Sequence, residues 1–339
     1  MSFRSAAGAL VVISALAAAA CSAKLQRAEN QPTPEEIFSA GSETARLRPL
    51  PSAGCRVPFL NRTHAQSPGG TIERAISSGG HVRRFLLALP TDEQLLKPVP
   101  LVLNLHGVIE TAELQQVFSG MQSQALQRGW AIAWPQGIGN SWNAGSCCGR
   151  SAAEEIDDVQ YVRDLVALVG REVCIDLRRV YATGMSNGGF MSYRLGCEAS
   201  DLIAAIAPVA AVDIARDCPQ HRPVPVLAFN GTSDHVVPYD GRAWSDFPSV
   251  EESFTRWRKR NQCTGAAKDD RQFFQNGDTK CLEATGCAPN GELVFCAIDG
   301  GGHTWPGGMF APYLGKTSDA VDASAAILDF FSAHARPDK

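Results

Sequence analysis

Three residues that together can cleave an acyl bond stand in order along this chain: Ser186, Asp234 and His303. Ser186 lies in Gly184-Met185-Ser186-Asn187-Gly188, a G-x-S-x-G pattern. A serine hydroxyl is a weak nucleophile until a base takes its proton, so it must stand where an imidazole can reach it. The pattern follows an apolar run, Arg179 to Thr183, that reads as a buried strand. It precedes a helix-compatible segment, Gly189 to Ala199. A tight strand-to-helix turn presents the serine, and its glycines admit strained backbone and close crossing of chain segments.

Downstream, Pro225 to Asn230 reads as another buried strand and runs into Gly231-Thr232-Ser233-Asp234. Leu293 to Ile298 is a further strand, followed by Asp299-Gly300-Gly301-Gly302-His303. Of seven histidines, only His303 follows both Ser186 and Asp234, comes after a late strand and sits in a loop of flexible backbone. His334 falls on the last predicted helix, and His235 is beside Asp234. Asp213, Asp217 and Asp240 compete with Asp234, which best matches a strand end. In this reading Ser186 is the nucleophile, His303 the general base, and Asp234 the acid that orients the imidazole. The oxyanion formed on attack needs donors already in place. The backbone N–H of Asn187 is one, and the N–H of Val108, after the short strand Leu101 to Leu105, is the other. His106 reads as structural, holding that loop by a side-chain hydrogen bond. Trp142, Tyr239 and Trp305 lie close to these positions in sequence, where they line a substrate pocket or pack in the core.

The order Ser, Asp, His is that of the α/β-hydrolases. The rest of the chain supplies elements to match. Thr71 to Ser77 and His81 to Leu89 read as a hairpin, and Trp130 to Trp134 and Ile203 to Val209 as strands. Val159 to Val173, capped by Asp157 or Asp158, reads as a helix, as do Pro248 to Arg260 and Asp319 to His334. Strands alternating with helices imply a mostly parallel central sheet with helices on both faces. The 339 residues are 45% hydrophobic, enough for one large domain with a sizeable core. Net charge is −4 with no basic stripe, which gives nucleic-acid binding no electrostatic support.

Ala6 to Ala20 is an uninterrupted small or apolar run preceded by Arg4, the pattern of a signal peptide. We expect residues 1–20 to be that leader, 21–54 a polar tether, and 55–339 a single catalytic domain. Ala18-Ala19-Ala20-Cys21 resembles a bacterial lipobox lacking its usual leucine, so membrane contact is expected only through a lipid anchor at Cys21. Of eleven cysteines, ten remain without Cys21, which makes five disulfides and fits an oxidising compartment. A bridge between the neighbours Cys147 and Cys148 would be strained, so each is expected to pair elsewhere. No metal-ligand spacing is present, and no cofactor is expected.

Trp142 to Gly149 (WNAGSCCG), Ile156 to Val159 (IDDV), Tyr181 to Gly189 (YATGMSNGG), Ala204 to Ala210 (AAIAPVA), Gly231 to Tyr239 (GTSDHVVPY) and Gly300 to Gly308 (GGGHTWPGG) resemble the secreted polyhydroxybutyrate depolymerase and feruloyl esterase group. The resemblance covers about Ser52 to His334. It implies an α/β-hydrolase fold, a metal-independent serine esterase, and Ser186, Asp234 and His303 as nucleophile, acid and base. Ser52 to Cys55 and Val173 to Asp176 look more like the feruloyl esterase branch. The loop after His106-Gly107 reads VIET and departs from the Gly-rich or Cys-containing versions common in relatives. The expectation is an exported hydrolase of carboxylic esters on a small or oligomeric substrate. The rivals are a polyester depolymerase, for which an extra polymer-binding domain is not expected here, an acetyl-carbohydrate esterase, an acyltransferase, and a non-catalytic binding protein on the same fold.

Overall fold

A computed structural model describes residues 37–38, 43–56, 70–215, 218–241 and 247–337. The predicted leader, Cys21 and most of the tether lie outside the described residues, as does Asp217. Among the described residues ten strands form one sheet in the order β1-β2-β4-β3-β5-β6-β7-β10-β9-β8. Its parallel centre is β4 (Ala131–Pro135), β3 (Val99–Leu105), β5 (Ile175–Met185), β6 (Ala205–Val209), β7 (Val226–Gly231) and β10 (Leu293–Ile298). Antiparallel strands flank this centre. β1 (Thr71–Ser78) and β2 (His81–Ala88) form the hairpin on one side. β8 (Arg271–Asn276) and β9 (Thr279–Glu283) form a second hairpin on the other.

Burial on both faces explains why the central strands read as near-continuous apolar runs. Along β3, Leu101, Leu103 and Leu105 face one core, and Val102 between them faces the other. In β5, Val180 and Ala182 join the first core while Tyr181 and Met185 join the second. The helices are α1 (Ala112–Ser119), α2 (Met121–Gln127), α3 (Gly149–Ala153), α4 (Asp158–Glu172), α5 (Asn187–Glu198), α6 (Val250–Arg260) and α7 (Ala323–Ser332). The start of α4 is fixed by Asp157, whose side chain accepts the Gln160 N–H at 2.8 Å. One polar link inside the fold is an ion pair, Arg83 to Asp158 at 2.6 Å, with both side chains buried.

Five disulfides connect the ten described cysteines. Cys55–Cys174 ties residues 53–56 to the start of β5, and Cys197–Cys218 ties α5 to the segment after β6. Cys263–Cys287 and Cys281–Cys296 brace the second hairpin. The expectation for Cys147 and Cys148 is corrected: they bond to each other. The other eight cysteines are engaged elsewhere, and the loop folds back on itself, with Ala144 N–H on Cys147 O and Cys148 N–H on Trp142 O.

Candidate active site

The strand order reverses at β3, which has β4 on one side and β5 on the other. Ligands in open parallel sheets bind beyond the C-terminal strand ends at such a point. Ser186 follows β5 there, with φ 56° and ψ −121°. A left-handed serine is sparsely populated and is held by its surroundings. Its N–H donates to Val209 O at 3.0 Å, and its C=O accepts the Phe190 N–H at 2.9 Å. The flanking glycines are required by contact. A Cβ on Gly184 would lie 2.5 Å from Leu105 O, and one on Gly188 would lie 2.1 Å from the same oxygen. β3, β5 and α5 therefore meet backbone to backbone beneath Ser186, which is only 7% exposed.

Asp234 and His303 are brought together by a second close approach. A Cβ on Gly231 would lie 2.3 Å from Gly301 O, so the turns after β7 and β10 touch through their main chains. Ser233 N–H donates to Gly301 O at 2.9 Å. Asp234 Oδ1 accepts the N–H groups of Val236 and Val237, both at 2.8 Å. Its Oδ2 accepts from His303 Nδ1 at 2.7 Å. A carboxylate can only accept, so Nδ1 carries the proton and Nε2 presents a lone pair. His303 N–H donates to Leu314 O at 2.7 Å. The imidazole is also within electrostatic reach of Glu110, in the loop after β3.

The loop after β3 is built around His106, fully buried. His106 Nε2 accepts the Gly137 N–H at 2.9 Å, and Nδ1 donates to Gly107 O at 2.7 Å. Burial pushes its pKa down to about 4. It is neutral at neutral pH and acts as a brace, in line with the sequence reading. The Val108 N–H makes no hydrogen bond among the described residues. The Asn187 N–H opens α5 and is among the four that helix geometry leaves unpaired. The Asn187 side chain clamps the next loop from both sides: Oδ1 accepts the Trp142 N–H at 2.6 Å and Nδ2 donates to Trp142 O at 3.1 Å.

Two of the three aromatic candidates are corrected. Trp142 is fully buried, its indole N–H donating to His106 O at 2.9 Å, so it supports the β3 loop from within. Trp305 is 1% exposed and donates to Ser324 Oγ at 3.0 Å. Neither presents surface to a substrate. Tyr239 is half-buried, and burial raises its phenol pKa, with Asp240 and Glu251 adding to the effect. Asp213, one of the three competitors for Asp234, is buried in an ion pair with Arg260. Among the described residues, no group of three or more His, Cys, Asp or Glu side chains gathers as a metal site would. Glu110 escaped the sequence reading, because a glutamate in a four-residue loop carries no pattern of its own.

Comparison with known proteins gives this geometry a context. No family model matches the chain. It is 32% identical over 238 residues to feruloyl esterase B of Piromyces equi, an alignment covering 65% of this chain but 42% of that protein, so the chain spans less than half its length. It is 30% identical over 278 residues to NocK of Nocardia uniformis subsp. tsuyamanensis, a protein named as an esterase, covering 76% of this chain and 80% of that one. Feruloyl esterase D of Neurospora crassa is 25% identical over 271 residues, covering 75% and 82%. Among solved structures, a thermostable esterase superposes with a TM-score of 0.51 at 16% identity, covering 78% of this chain and 63% of that one. Fold and sheet order define a disulfide-stabilised α/β-hydrolase. Within that class the chain belongs to the feruloyl esterase-like family.

Proposed function

We propose that this chain is an exported serine esterase that hydrolyses carboxylic esters of the feruloyl type through an acyl-enzyme on Ser186. The observation that carries the reading is the 2.7 Å bond from His303 Nδ1 to Asp234, which leaves Nε2 to act as a base, beside the strained elbow backbone that presents Ser186. In acylation His303 Nε2 takes the proton of Ser186 Oγ as Oγ attacks the ester carbonyl carbon. The oxygen turned anionic is received by the N–H groups of Val108 and Asn187. The intermediate collapses, the C–O bond to the leaving alcohol breaks, and His303 returns the proton to that alcohol. Water then repeats the sequence on the acyl-enzyme and releases the acid. Asp234, held by two main-chain donors, keeps the imidazole in the right tautomer.

The names of the relatives support a phenolic acyl group, and the five disulfides support an oxidising compartment. The test is a panel of methyl ferulate, short p-nitrophenyl esters, acetylated xylan and a hydroxybutyrate oligomer, each against wild type and Ser186→Ala. The reading expects methyl ferulate to be cleaved with the highest kcat/KM and the variant to be inactive on all four. A preference for acetylated xylan or the oligomer would overturn the acyl assignment, and an active variant the mechanism.

A further inference from the structure

The four residues Gly107-Val108-Ile109-Glu110 form a turn closed by Glu110 N–H on Gly107 O at 3.3 Å. At its third position Ile109 has φ 65° and is 85% exposed. A β-branched residue in the left-handed region is a genuine outlier, and such strain persists only where neighbours over-determine the backbone. Two contacts do so here. Ile109 N–H donates to Asn140 O at 2.7 Å, and Glu110 Oε2 folds back to accept the Gly107 N–H at 2.9 Å. A Cβ at 107 would lie 2.8 Å from that same oxygen, so a larger residue there would displace the carboxylate from this contact. The turn thus has the N–H groups of 107, 109 and 110 taken, and Val108 N–H left over.

We propose that Glu110 is a positioning residue that locks this turn so that the Val108 N–H is kept free for the substrate oxygen. The inference rests on the assignment of Ser186 and His303 made above. Glu110 does not touch the reacting atoms. It fixes the neighbour of the donor by accepting the Gly107 N–H. Burial raises the Glu110 carboxyl pKa, the Gly107 N–H and His303 pulling the other way. Its charge is therefore lost earlier on acidification than that of an open glutamate, which weakens its hold on the Gly107 N–H.

The experiment measures kcat, KM and their pH profiles on a p-nitrophenyl ester for wild type, Glu110→Ala and Glu110→Gln, with Ser186→Ala and His303→Ala alongside. Deleting one oxyanion donor costs roughly a hundredfold or more in kcat. Loosening one should lower kcat about ten- to a hundredfold in Glu110→Ala with KM little changed, because the bond forms in the transition state. Glu110→Gln keeps an acceptor for Gly107 N–H and should recover at least about tenfold of that loss. Its acid limb should become shallower, since glutamine does not titrate. Should Glu110→Ala fail to fold, the limb of the Gln variant still decides. Full kcat in the Ala variant, a loss confined to KM, or a Gln profile superimposable on wild type would overturn the proposal. Activity in Ser186→Ala or His303→Ala would instead overturn the assignment on which it rests.

Discussion

Acid should loosen the loop after β3 through His106. This imidazole is fully buried, tilted against Trp142 with ring centroids 4.9 Å apart, and accepts at Nε2 from Gly137 N–H and the Gln136 amide. Protonation would place a hydrogen against both donors in a dry site. Burial, joined by the charges of Arg84 and Arg83, holds the pKa down to about 4 against the ordinary 6.5. Between those values the unfolded chain binds the proton and the folded chain does not. Stability is therefore complete above about 6.5 and falls as pH drops toward 4. The gap of about 2.5 units, at roughly 1.4 kcal/mol per unit, amounts to about 3 kcal/mol. Most of it, about 2 to 3 kcal/mol, should be gone at pH 4.5. Urea denaturation at pH 7 and 4.5 measures this in wild type and in His106→Gln, whose amide oxygen can still accept the Gly137 N–H. The variant should start less stable at pH 7 and lose about 2 to 3 kcal/mol less on acidification. Equal losses in the two proteins would refute the reasoning.

Gly188→Ala should prevent folding or lower Tm severely, because its methyl would sit 2.1 Å from a main-chain oxygen of β3; a melt near wild type would show that the approach of α5 to β3 is looser than described. Arg83→Met should cost about 3 to 5 kcal/mol in urea denaturation by leaving Asp158 buried without its partner. The double variant with Asp158→Asn should recover part of that, and no recovery would place the cost in packing. Denatured, unreduced protein should titrate no free thiol among the ten described cysteines, and reduction should lower Tm sharply, since loop-closing bridges typically contribute roughly 2 to 4 kcal/mol each. Two free thiols mapped to Cys147 and Cys148 would contradict the bridge between them.

What was legible in the sequence was whatever local chemistry decides. Leu293 to Ile298 is apolar enough to be buried on both faces, and β10 has those bounds. Asp157 announces α4 because its carboxylate has an unpaired N–H within reach. The elbow was legible because glycine at 184 and 188 answers a contact that no other residue tolerates. The second hairpin was not, since only Phe274 of β8 is buried and the rest of that strand reads as surface. Nor were α1 and α2, which break at a left-handed Gly120 into pieces too short for a clear period. Trp142 and Trp305 misled because nearness in sequence to a site says nothing about which way an indole turns. Their N–H groups found partners inside the fold. The neighbours Cys147 and Cys148 were misread because strain was weighed without knowing that the other eight cysteines had partners of their own.

The central claim is that Ser186 attacks and His303 activates it. The most direct measurement is labelling of the native protein with a serine-directed fluorophosphonate, read by intact mass and peptide mapping while ester hydrolysis is followed in the same sample. The account predicts one label per chain, on Ser186, with activity falling in proportion, and labelling greatly slowed in His303→Ala. A label on another serine, or full occupancy of Ser186 with hydrolysis intact, would contradict it.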